Sequence, residues 1–270
     1  MYITAHDAAL NGVSLSDVDP DIIVLGCGTE AGKDTLSAAT LSGRSGQTVT
    51  GRTRDYIEAT VRFGIICRRN RMNERGEIYE KAMAWAAAAR DSYRWLTFGH
   101  KPGRRLLVRL NTLPAEGDPW EWNKEYTISF RSNEVPYWQD TEAVTETVTG
   151  SATLEQAISV NGSARTVLEL TYVNGSSSVC NTMDISTGAA EMHFTGLGVA
   201  AGESLVIDHS AGGVLRIRIK NTSDVYRSVF AKRVALTSAD DLWIQPGTRT
   251  VTGTAQRSGT WTISCRGRYE

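Results

Sequence analysis

The feature that most constrains this chain is a period-two alternation of apolar and polar residues that recurs between residues 57 and 265. Ile57, Ala59, Val61, Phe63 and Ile65 take every second place, with Glu58, Thr60 and Arg62 between them. Successive strand side chains point to opposite faces, so such a run buries one face and wets the other. The pattern returns at Leu106, Val108 and Leu110, at Tyr126, Ile128 and Phe130, and at Leu168, Leu170 and Tyr172. Its cleanest case sets Leu215, Ile217 and Ile219 against Arg216, Arg218 and Lys220, and Trp261, Ile263 and Cys265 end the series. The expected fold is therefore mainly β.

One helical stretch interrupts it. From about Asn73 to Ser92 the chain is rich in alanine and other good helix formers. Ile78, Ala82, Trp85, Ala86 and Ala89 share one stripe at helical spacing. This predicts one long helix, capped by Asn73 and laid across a sheet, in an α+β chain.

At 270 residues the chain is long for one core, which favours two domains. Its character changes near Val135-Pro136-Tyr137-Trp138, from mixed α and β to short strands punctuated by turns. Asn161-Gly162 and Asn174-Gly175 read as hairpin dipeptides, and Gly212-Gly213 as another turn. The expected domains are residues 1–138 and a β-sandwich at 139–270. Between Gly28 and Gly51 there is hardly a large apolar side chain. That segment cannot build a core and should be an extended arm or hairpin ordered against something else.

Trp120, Trp122, Tyr137 and Trp138 cluster where the second domain begins. They are candidates for packing the two domains together, with a sugar-binding platform as the other reading. The signals for chemistry are thin. Asp21–Thr35 resembles a phosphate loop, but Cys27 stands where the glycine belongs and Asp34 where the hydroxyl belongs. Asp17, Asp19 and Asp21 have calcium-loop spacing, yet Ile22 replaces the turn glycine and Gly28 the closing glutamate. A solvated acidic turn is the expectation there. His6, His100, His193 and His209 lack metal-ligand spacing, and Cys27, Cys67, Cys180 and Cys265 are scattered. No catalytic, cofactor or metal residue is assigned, and the cysteines are expected to be reduced thiols of a cytoplasmically made protein. Asn-x-Ser matches at Asn161, Asn174 and Asn221 count as coincidence. A net charge of -1 argues against sequence-specific nucleic-acid binding, and no apolar run is long enough for membrane insertion.

The order of segments resembles the distal tail proteins of siphophages. Leu10-Asn11-Gly12-Val13 is similar to the family's opening Asn-Gly turn, without its aromatic residue. Ser42-Gly43-Arg44-Ser45-Gly46 looks like its Gly-Arg-Asp-Gly turn, with Ser45 in place of aspartate. The strand at Tyr56–Ile65, the helix, Trp95-Leu96 and a hairpin at Arg104–Leu113 follow in the family's order. Ile244-Gln245-Pro246-Gly247 and Arg266-Gly267-Arg268-Tyr269 resemble its closing turn and last strand.

The resemblance implies an N-terminal belt domain and a C-terminal galectin-like sandwich. It implies a hexameric ring at the tip of a long non-contractile tail, with a central channel for DNA. Its partners would be copies of itself, the tail tube protein, the tail-tip hub protein, and receptor-binding or other baseplate proteins. Leu41, Ser42, Gly43, Arg44, Ser45 and Gly46 become the candidate subunit-contact arm. The protein would be a virion component, made in the bacterial host's cytoplasm and not an enzyme. A carbohydrate-binding, lectin-like tail or cell-surface protein is the alternative.

Overall fold

A computed structural model describes residues 6–39, 48–67, 69–116, 124–210 and 213–270. Strands carry most of them, with one helix of several turns. Contacts divide the chain into two units, Met1–Trp138 with Glu270, and Gln139–Tyr269.

The first unit begins with β1 (Ala8–Leu10), β2 (Val13–Ser14) and the single-turn α1 (Leu15–Val18). Then come β3 (Ile22–Thr29), β4 (Lys33–Ala39) and the 18-residue β5 (Thr48–Ile65). A 3-10 turn (Arg69–Glu74) leads into α2 (Arg75–Ala87), followed by β6 (Arg94–Phe98), β7 (Arg104–Thr112) and β8 (Glu125–Ser132). The sheet order is β2-β1-β6-β7-β8-β5-β3, and β4 is added beside β5. Ile57, Ala59, Val61, Phe63 and Ile65 are all buried, as their alternation predicts, facing Tyr126, Ile128 and Phe130. β7 departs from one-sided burial, because Leu107 is buried as well as Leu106 and Val108. It does not form a hairpin within Arg104–Leu113; its turn partner is β6, through Gly99–Gly103.

The helical stripe of Ile78, Ala82, Trp85, Ala86 and Ala89 is buried, and Trp85 meets Phe130 edge-on at 5.9 Å. The helix is shorter than its composition suggests. Asn73 falls in the 3-10 turn, and Glu74 holds the cap position. At the other end the Ala89 carbonyl accepts the Leu110 amide at 2.8 Å, so it is committed to the sheet rather than to a further turn.

β9 (Trp138–Asp140) opens on the last residue of the first unit. The second unit holds β10 (Val144–Val160), β11 (Thr166–Asn174), β12 (Met183–Ser186), β13 (Glu191–Phe194) and β14 (Ser204–His209). It continues with β15 (Leu215–Lys220), β16 (Tyr226–Ser228), β17 (Trp243–Ile244), β18 (Gly247–Cys265) and β19 (Arg268–Tyr269). The order is β13-β12-β18-β11-β14-β15-β16, with β10 paired along β18. The strands enclose one core, in which Trp261 and Tyr172 meet at 4.7 Å.

Two of the expected hairpins are not hairpins. Asn161-Gly162 joins β10 to β11 and Asn174-Gly175 joins β11 to β12, but β18 lies between the members of each pair. Gly213 does lie in the β14–β15 hairpin, whose Ser210 amide bonds the Val214 carbonyl at 2.9 Å; Gly212 is outside the described residues.

Candidate assembly surface

The most distinctive surface of the first unit is the β4–β5 ribbon. β5 has two halves with different neighbours. Residues 57–64 pair with β8 and residues 59–65 with β3, whereas residues 48–56 pair with β4. The ribbon therefore runs past the end of β8, and its own sequence explains why. Gly28–Gly51 offers no apolar face to lay on the core, so the backbone pairs with itself instead. At its base Arg54 Nε donates to Asp34 Oδ1 at 3.0 Å, and Thr35 Oγ1 donates to Asp55 Oδ2 at 2.6 Å. Hydrogen bonding to Asp34 makes the Arg54 guanidinium still harder to deprotonate. Gly32 leaves room for this pair, since a Cβ there would lie 2.8 Å from Arg54 Nε. Leu36 on the ribbon is 59% exposed.

The candidate contact residues Leu41, Ser42, Gly43, Arg44, Ser45 and Gly46 lie outside the described residues, as do Trp120 and Trp122. Tyr137 is half-buried, with the Arg54 guanidinium 5.3 Å from its ring centre. Trp138 is buried in the first unit, packed on Phe98 at 5.2 Å with Lys101 Nζ 4.4 Å above its ring.

Three arrangements were not read from the sequence. The expected solvated turn is instead a buried ion cluster: Asp19 and Asp21 are nearly inaccessible and bind Arg71, and Asp19 also binds Lys81 at 2.9 Å. The Arg71 hydrogen bond holds the Asp19 carboxyl far below the usual carboxylate range, against the opposing effect of burial. Second, Cys27 Sγ lies 3.6 Å from His100 Nδ1. Burial and then Asp7 push this thiol up to about 11, and burial lowers His100, so both partners favour their neutral forms. That is the reverse of a thiolate–imidazolium nucleophile. Third, His209 Nε2 sits 2.9 and 3.0 Å from the two Asp241 carboxylate oxygens, a buried contact. Gly32-Lys33 leads into a strand rather than a helix, unlike a phosphate loop. Among the described residues no cluster of metal-ligating side chains occurs, and no helix is long and apolar enough to cross a membrane.

No family model and no curated protein matches the chain. The fold nevertheless has solved counterparts, among them a hub protein and a baseplate of phages. The SPP1 Dit protein, described as a paradigm of hub adsorption apparatus in phages infecting Gram-positive hosts, superposes with a TM-score of 0.69. The match is 16% identical and covers 98% of this chain and 99% of that one. The phage P2 baseplate in its activated conformation with calcium matches at a TM-score of 0.50 and 7% identity, covering 92% and 90%. This chain thus has the distal tail protein fold that its motifs resemble.

Proposed function

We propose that this protein is a structural component of a long, non-contractile phage tail. Copies of it close into a hexameric ring at the distal end of the tail. One face of the ring joins the tail tube and the other the tail-tip hub, and DNA leaves through the central channel. In this reading the first unit is the ring-forming belt. The second is a galectin-like scaffold for receptor-binding or other baseplate proteins, and the chain works in the virion without catalysis or cofactor.

The observation that carries the reading is end-to-end likeness to SPP1 Dit, which spans both units rather than one generic β domain. The β4–β5 ribbon supplies a means of assembly. Its backbone outruns its own sheet, and strand addition to a neighbour would satisfy it. Such a contact is head-to-tail and closes by rotation. The test is electron microscopy of the purified protein with its mass from light scattering. Rings with a central hole are the expected result. A monomer at micromolar concentration that stays monomeric with the tail tube protein overturns it.

A further inference from the structure

The two ends of the second unit's sheet are treated differently. Along β13 the chain covers its own edge: the Val234 amide bonds the His193 carbonyl at 2.8 Å, and the Ala239 amide bonds the Glu191 carbonyl at 2.7 Å. At the other end β16 closes the order, with no strand beyond it among the described residues. Arg227 pairs with Ile219, flanked by bonds from Val229 to Ile217 and from Asn221 to Val225. By antiparallel alternation the N–H and C=O groups of Tyr226 and Ser228 therefore point away from β15. Natural edges are usually blunted or covered.

This edge is short and carries Arg227, yet it also exposes apolar side chains. Val225 is 61% exposed, Tyr226 45% and Phe230 44%. Around them the charges are mixed, with Lys220 paired to Asp224 at 2.7 Å and Arg227 to Glu203 at 3.2 Å, and the excess is cationic. Asp208 is shared by Arg216 at 2.8 Å and Arg218 at 2.6 Å, and Arg218 also lies 4.3 Å over the Tyr226 ring. One carboxylate between two guanidiniums leaves a cationic surplus on the outer face beside the edge.

We propose that the β16 edge is a docking site for an extended, acidic segment of a partner protein. The segment adds as a strand: its backbone pairs with Tyr226 and Ser228, its apolar side chains pack on Tyr226 and Phe230, and its carboxylates meet the arginine face. This deepens the scaffold role proposed above by naming the partner's chemistry, but it does not require the ring.

The probe is a labelled peptide of alternating valine and glutamate, titrated into the full chain and read by fluorescence anisotropy. A valine–lysine peptide is the control. The valine–glutamate peptide should bind at least about tenfold more tightly and lose affinity as salt rises. Methylating backbone nitrogens on one edge of the peptide should abolish binding, while methylation on the other edge is tolerated. Ser228→Pro, which removes an outward N–H, should weaken binding by about tenfold with an unchanged melting curve. Equal binding of both peptides, indifference to N-methylation, or competition by dextran sulfate that ignores the peptide's edge would overturn the proposal. Light scattering on the same sample, repeated with the tail tube protein, separates this from the ring: peptide binding to a chain that stays monomeric with that protein leaves the edge site standing and sinks only the assembly reading.

Discussion

Asp19 and Arg71 are joined at two points across 52 residues of chain, Nη1 to Oδ1 and Nη2 to Oδ2, each at 3.0 Å. The pair ties the turn before β3 to the 3-10 turn before α2. Because the folded-state pKa of Asp19 is depressed, its contribution is complete above the unfolded value of about 3.9. It shrinks as pH falls through that value and is lost as pH falls through the folded one. The urea midpoint of the first unit should therefore drop between about pH 5 and pH 3, and Asp19→Asn should flatten the slope. An unaltered slope in Asp19→Asn would show that other carboxylates carry the acid response.

Gly259 is buried where two backbones approach closely in the second unit's core. A Cβ there would lie 2.2 Å from the Val173 carbonyl oxygen and 2.6 Å from the Tyr172 ring. Gly259→Ala should cost roughly 1–3 kcal/mol or more, because backbone and a buried ring must shift. Gly28→Ala, with nothing within 4 Å, is the control that should change stability far less. Chemical denaturation of both variants measures the difference.

The thiols should be sluggish. Burial, then Asp7, raises Cys27 to about 11, and burial, then Asp140, raises Cys265 to about 11. Alkylation at pH 8 followed by mass mapping should leave both mostly unmodified in the folded protein, with rates climbing steeply toward pH 11. Rapid labelling of Cys27 at pH 8 would mean that His100 activates it after all.

Replacing residues 35–53 with a short turn should remove the ribbon and leave the β3–β5–β8 ladder paired. If the ribbon links subunits, this variant yields no rings under the microscope while retaining the cooperative melting of the second unit. Rings formed without the ribbon would place the subunit contact elsewhere.

Local patterning was legible and long-range partnership was not. The buried faces of β5, β8, β11 and β15 follow from alternation, and the buried stripe of α2 from its spacing, because both depend only on neighbours in sequence. Strand order does not. Asn161-Gly162 and Asn174-Gly175 have hairpin chemistry, yet a strand from the far end of the unit intervenes at both places. Asp19 and Asp21 looked solvated because their cation lies some fifty residues away and no local signal connects them. The Cys27–His100 contact was hidden for the same reason, across 73 residues. The helix lost its last turn to a tertiary hydrogen bond that propensity does not register.

That intervening strand has a consequence for how the protein is made. β18 borders β10, β11 and β12. Until residues 247–265 have left the ribosome, β10 lacks its partner, and β11 and β12, beside β14 and β13, each have one edge unpaired. Nascent second units thus wait with apolar strands uncovered, and closure is a late, single event rather than a progressive one. In a cell producing many copies at once, that interval is when the protein is most exposed to chaperones and to its own siblings.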